Sequence, residues 1–347
     1  MVLVLHGAAM TEGLEKHPWL VDLTNRLGAG VQLFFVLSGF VITAAMDRAA
    51  SFGDGSSGFL LRRLAKLGPL YLIFLHLNIA FFWLWSAHDP DPHFFRNSVT
   101  GDNLNVENYG LHLLFLQGLS PAYINTLLDG GWSIVCEVYF YALAPFVFHP
   151  LCRSLRRAIW ALAVSILVAI GFTMAVGKHM GAFGYYAFPV QLPCFVMGIL
   201  VYRARERFTI DLPSELQAPI AVTIALFVFG FLRTNVSPLG GHVMIAILFA
   251  LALLVLRVHT GRGLLGALQA IGRQSYALFL VHLFLLKIAY TTVFANGFYP
   301  GLWLALCLNL AISVLGALAL SWLIFDRIDR FFVTAMARYL SSRRKAH

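Results

Sequence analysis

The sequence predicts an all-α fold, a polytopic transmembrane bundle of about ten helices. Of its 347 residues, 59% are hydrophobic and 12% charged, where soluble domains carry about 25% charged residues. Mean hydropathy is +0.78. The apolar residues fall in long runs separated by short basic clusters. That arrangement is the signature of membrane topology and argues against a basic surface for nucleic acid.

The runs are approximately 1–11, 28–46, 64–86, 132–149, 158–176, 187–202, 218–232, 241–258, 275–295 and 301–325. A crossing needs roughly 20 apolar residues, so the first, MVLVLHGAAM, is half length. It reads as the outer half of a truncated first helix. A start placed downstream of the true one would explain it, and so would a genuinely shortened protein. It has neither the positive n-region nor the cleavage site of a signal peptide. A weaker run at 109–119 is too short to span and suits a re-entrant or interfacial helix.

Orientation follows from the basic residues. With the N-terminus inside and the runs alternating, 19 of the 25 lysines and arginines lie on the cytoplasmic side, five lie outside and Lys287 falls within a helix. The expected topology is therefore N-in, C-in, in a cytoplasmic (inner) membrane of bacterial type. Residues 1–326 form the membrane domain and 327–347 a basic, amphipathic cytoplasmic tail. The longest outer loop, 87–131, holds Asp89, Asp91, Asp102, Glu107 and Asp129 against Arg96 alone. Cys136, Cys152, Cys194 and Cys307 have no metal-ligand spacing and read as small buried hydrophobes. No metal site is expected.

Ionisable residues inside spans are costly, which makes them functional candidates. Glu137 lies in GGWSIVCEVYFYALAPF, just past a glycine pair that starts a helix. Ser133, Glu137 and Tyr141 share one face at i, i+4, i+8. A carboxylate there can act as a base, orient one, or simply pair with a neighbouring helix. His6 stands at a mirrored depth, about 6–8 Å from the same outer face, so the two could meet. A base held by a carboxylate is a general arrangement for activating a hydroxyl. His76, His112 and His149 read as helix–helix hydrogen-bonding residues. His282 shares a face with Ser275 and is a candidate to line the site.

On the cytoplasmic side, Arg62, Arg63 and Lys66 cluster before Pro69 in RRLAKLGPLY. Such groups bind phosphate well, though positive-inside anchoring explains them equally. Ser38 and Gly39, in FFVLSGFVIT, put small residues mid-helix, where close packing is the plain explanation. Ser38 also falls among the residues expected near substrate.

In order, the segments FFVLSGFVIT, RRLAKLGPLY, WSIVCEVYFY, QLPCFVMGILVY and GRQSYALFLVH resemble the signature segments of the membrane-bound acyltransferase-3 family, from His6 to about Asp326. The resemblance implies ten transmembrane helices and transfer of an acyl group, most often acetyl, from cytoplasmic acyl-CoA. The acceptor would be a hydroxyl on an extracytoplasmic or membrane-proximal molecule such as a glycan. It implies that His6 is the essential histidine, that Glu137 is the glutamate of the W-S-x-x-x-E segment, and that Arg63, Lys66 and Pro69 match the basic pattern at the CoA end. Three departures stand out. Lys66 replaces an arginine, Cys194 stands where a glutamate is frequent, and the arginine eleven residues before the histidine has no counterpart.

The resulting expectation has Arg62, Arg63 and Lys66 holding the CoA phosphates. His6 and Glu137 are catalytic. Trp132, Ser133, Tyr141, Ser38 and His282 lie near the acceptor, Trp132 and Tyr141 as an aromatic platform. Partners are acyl-CoA, the hydroxyl acceptor and the lipid bilayer, not nucleic acid. Competing classes are a glycan or lipid transporter or flippase, and a silent scaffold. Transporters often carry paired internal repeats, and none is visible.

Overall fold

The computed structural model describes residues 1–11, 13–51, 55–86, 99–176, 180–181, 183–208, 212–231, 238–256, 264–290 and 301–345. Asp89, Asp91 and Arg96 lie outside the described residues. Within them the chain is mainly helical and contains no strand. The helices are α1 (Val2–Ala9), α2 (Pro18–Asn25), α3 (Gly30–Ser51), α4 (Ser56–Ser86), α5 (Val106–Leu113), α6 (Gly131–Leu143), α7 (His149–Leu151), α8 (Leu155–Val176), α9 (Phe183–Tyr186), α10 (Phe188–Arg207), α11 (Ser214–Phe231), α12 (Pro238–Val255), α13 (Leu264–Arg273), α14 (Ser275–Ala289), α15 (Leu302–Ala311), α16 (Ala317–Leu320) and α17 (Asp326–Lys345). Wider π turns at Ala144–Phe148, Ile312–Gly316 and Ser321–Phe325 join α6 to α7, α15 to α16 and α16 to α17.

Each apolar run of the sequence is largely helical over its described residues. By length and composition, six stretches among the described residues can cross a membrane: Pro18–Arg48, Ser56–Trp85, Gly131–Leu151, Leu155–Val176, Phe183–Arg207 and Leu302–Ser342. The pair Gly266–Arg273 and Ser275–Ala289, bent by 71°, makes a seventh if it is one span. A multi-pass integral membrane protein accounts for the outer surface. Helix α8 exposes Trp160, Leu167 and Met174, and Leu226, Trp322 and Leu323 are equally bare. So much open apolar surface suits hydrocarbon and not water.

The centre of the bundle is set by glycine. A Cβ on Gly39 would lie 1.9 Å from the Phe195 carbonyl oxygen, and one on Gly198 would lie 2.0 Å from that of Val36. Helices α3 and α10 therefore cross with their backbones touching, as small residues permit. Packing is what Gly39 does, as the sequence suggested. Phe35, Phe195 and Phe140 stack beside the crossing, with ring centroids 4.5 Å apart in each neighbouring pair. At the basic end of the bundle, where Arg63 and Arg203 lie, Asp47 of α3 takes two hydrogen bonds from Arg203 of α10, at 2.6 and 3.1 Å. It also contacts His149 of α7 at 2.9 Å. His149 is thus a helix–helix contact, and His76 is another, bonding Tyr109 at 2.8 Å. His112, expected to bond between helices, instead contacts the Asn108 carbonyl of its own helix and the Thr126 carbonyl of the loop before α6. Cys136, Cys152 and Cys194 are buried; Cys307 is exposed on α15, contrary to its expected burial.

Helix α1, about 12 Å long at 1.5 Å per residue, is held from the side. Gly7 packs on Ser313, where a Cβ would come within 2.7 Å of Oγ. The Asn309 amide donates to the Met10 carbonyl and to Thr11 Oγ1, each at 3.1 Å. Those bonds satisfy a carbonyl that a helix end otherwise leaves unpaired. The weak run at 109–119 becomes α5 and a single 3-10 turn. There Gln117 is fully buried and donates to the Tyr71 hydroxyl at 2.6 Å. After Asp326 the chain continues as the same helical rod, so the tail expected from 327 is α17, tied back to α4 by an ion pair between Lys66 and Asp329.

Candidate active site

Two cavities meet near α1. One, of about 550 Å³, opens at the end of the bundle opposite the basic clusters; it is lined by His6, Asp129, Trp132, Tyr185 and Tyr186 among others. The other, of about 220 Å³, lies deeper and is lined mainly by apolar groups, with Ser133, Glu137, Ser275 and Tyr276 as its polar members. Val2, Val31 and Phe279 line both. A single layer of side chains therefore separates them.

His6 reaches the first cavity because α1 is pinned by α15 with Gly7 and Ala8 turned into the protein. Its ring lies 5.5 Å from that of His282, at a tilt of 41°. His282 is fully buried. Its Nδ1 lies 3.0 Å from the Leu278 carbonyl, which can only accept, so Nδ1 carries the proton and Nε2 is a bare acceptor. Nε2 is buried and has no hydrogen-bond partner. Asp129 lines the same cavity as His6.

Glu137 keeps different company. Its Oε1 accepts from Ser38 Oγ at 3.0 Å and from the Tyr141 hydroxyl, one turn further along α6. Its Oε2 is buried without a hydrogen bond. Arg63 lies over the Tyr141 ring at 5.6 Å and over the Phe59 ring at 5.5 Å, and its charge acts on Glu137. The pairing of His6 with Glu137 expected from equal depth is not made. The two side chains line different cavities.

The remaining expected residues divide in the same way. Trp132 stacks on Tyr186, with centroids 4.6 Å apart, and meets Tyr185 edge-on at 5.9 Å, forming an aromatic wall of the His6 cavity. Tyr141 is buried against Glu137, away from that wall, so it is no part of the platform expected with Trp132. Ser133 bonds the Gly130 carbonyl at 2.8 Å and faces the inner cavity. Arg62, Arg63 and Lys66 do not converge. Arg63 turns inward to Tyr141 and Arg62 lies back along Gly58. Lys66 lines a third cavity of about 680 Å³ at the basic end with Arg273, Arg327 and Arg330. Asp326 and Asp329 line it as well.

Sequence reasoning missed Asp129, Tyr185, Tyr186 and the arginines beside Lys66. Asp129 had a visible signal. Lys287 is a charge inside an apolar run, which requires a partner, and the partner is Asp129.

The described residues thus form an all-helical bundle with a histidine and a carboxylate on adjoining cavities. A model of the acyltransferase-3 family, described as an acyltransferase domain, matches residues 1–325. The chain belongs to that family. No curated protein and no solved structure gives a match.

Proposed function

We propose that the protein is an integral membrane O-acyltransferase that moves an acyl group, acetyl in the commonest reaction of its family, from acyl-CoA to a hydroxyl of an extracytoplasmic or membrane-proximal glycan. The proposal includes ten crossings, an N-in, C-in orientation and a cytoplasmic membrane of bacterial type. The observation that carries it is the pair of cavities meeting at one thin wall beside His6. A donor arriving from the basic end and an acceptor arriving from the opposite end come within reach of the same imidazole.

In this reading the CoA phosphates sit among the cations of the basic end, Lys66, Arg273, Arg327 and Arg330, with Arg62 nearby and Arg63 further in. The pantetheine arm runs into the cavity of Glu137, whose second oxygen is available to an amide N–H. The acceptor sugar lies against Trp132, Tyr185 and Tyr186, whose ring faces suit a pyranose. His6 takes the proton of the hydroxyl as its oxygen attacks the thioester carbonyl. The C–S bond breaks, and the thiolate recovers the proton from His6. A relay through an acyl-histidine gives the same products.

The test is CoA release and acetyl transfer in membranes carrying single substitutions. His6→Ala is expected to lower turnover by about 10²-fold or more, the usual contribution of a general base. Glu137→Gln is expected to weaken it less and mainly through KM for acetyl-CoA. Undiminished transfer by His6→Ala overturns the assignment. A transporter or flippase would release no CoA at all.

A further inference from the structure

Lys287 is 1% exposed, in the last turn of α14. A buried ammonium must be paired and hydrogen-bonded or it is expelled or neutralised. Its Nζ donates to Asn78 of α4 at 2.6 Å and forms an ion pair with Asp129, just ahead of α6. For neutralising Lys287 alone, an enclosed carboxylate would serve best. Asp129 is instead about a quarter exposed and lines the same cavity as His6.

The backbone fixes it there. Gly130, the next residue, has φ +71, and a Cβ on it would come within 2.8 Å of the Phe279 ring. Only glycine tolerates both the left-handed conformation and the close ring. Lys287 from one side and the Gly130 turn from the other thus hold the Asp129 carboxylate at the mouth of α6. Helix α14 contributes three of the parts, Phe279, His282 and Lys287, the last two fully buried.

We propose that Asp129, locked by Lys287, is the carboxylate that positions His6 and stabilises its charged form during acyl transfer. The role rests on the acyltransferase reading above, and it is the role the sequence suggested for Glu137. Asp129 acts through His6 and takes no proton itself. The proton moves from the acceptor hydroxyl to His6 and on to the departing thiolate, while the carboxylate stays ionised and paired.

The experiment compares Asp129→Asn, Asp129→Glu, Lys287→Met and the double variant Asp129→Asn/Lys287→Met, as full-length protein in lipid nanodiscs. The probe is CoA release from acetyl-CoA, with thermal unfolding measured alongside. Asp129→Asn should lower kcat by about 10²-fold, with KM for acetyl-CoA within about threefold. Asp129→Glu should recover part of the rate. The double variant removes both buried charges together, so it should regain thermal stability and remain slow. If it regains wild-type turnover, Asp129 serves only to neutralise Lys287 and the proposal is overturned.

A second readout needs no turnover. Diethyl pyrocarbonate labels imidazole that is neutral and unobstructed, and mass spectrometry reads His6 against His17 as reference. His6 should label about threefold or more faster in the double variant than in the wild type, since the ring is released from its held orientation. Equal rates overturn the positioning role. If the wild type releases no CoA while His6 labelling still responds to Asp129, acyl transfer is the part that fails and the pairing stands.

Discussion

Glu137 shows how a buried carboxylate is kept. Both hydrogen bonds to its Oε1 come from hydroxyls, Ser38 across the helix crossing and Tyr141 along its own helix. Removing both donors strands the group, at about 1–3 kcal/mol for each bond lost. Ser38→Ala/Tyr141→Phe should therefore lower the unfolding temperature, and adding Glu137→Gln should return part of the loss by removing the charge. A lack of recovery in a nanodisc melt would mean that the carboxylate is already neutral or hydrated. His6, Glu137 and His282 were legible in the sequence because each is a polar group in an apolar run. Their partners were not. Ser38 was expected in close packing and near substrate, not as a donor to Glu137, and Asp129 looked like one more loop acid. A contact between positions 38 and 137 is a fact of tertiary structure, with no local periodicity to announce it.

Among the elements, the crossing of α3 and α10 has the least tolerance. Neither Gly39 nor Gly198 can carry a methyl without moving the backbone of the facing helix. Overpacking in an interior costs about 1–3 kcal/mol, and here rigid carbonyls are the obstacle. Gly39→Ala and Gly198→Ala should each cost at least that much, read as a lower melting temperature in nanodiscs. Gly171→Ala on α8, with nothing within 4 Å of its Cβ, should be neutral or slightly stabilising. The element boundaries were legible in the same uneven way. The apolar runs gave the helices, because period and length are written locally. Neither the 71° bend between Gly266–Arg273 and Ser275–Ala289 nor the continuation of the last span into α17 was legible. Both depend on what the helix packs against.

For the whole molecule, the distribution of charge is the strongest guide. The clasp of Asp47, Arg203 and His149 and the pair of Lys66 with Asp329 lie at one end of the bundle. His6, Asp129 and the Tyr185–Tyr186 wall lie toward the other. The N-in, C-in proposal puts the first group in the cytoplasm. An alkaline phosphatase fused after residue 345 should then be inactive, and one inserted at Gly101 should be active. The reverse result would invert the topology and with it the side from which the donor arrives.

The thin partition of Val2, Val31 and Phe279 has a consequence of its own. A catalyst that draws its two substrates from opposite aqueous compartments is also a potential short circuit between them. One layer of hydrocarbon side chains is enough to stop a water file, because a dry constriction offers no hydrogen bonds to a hydrated ion or proton. In the proposed reaction the thioester would be presented through this same layer. On that proposal insulation and reach would be set by the same three side chains, and widening the gap to admit a bulkier acyl chain would cost the membrane some of its seal.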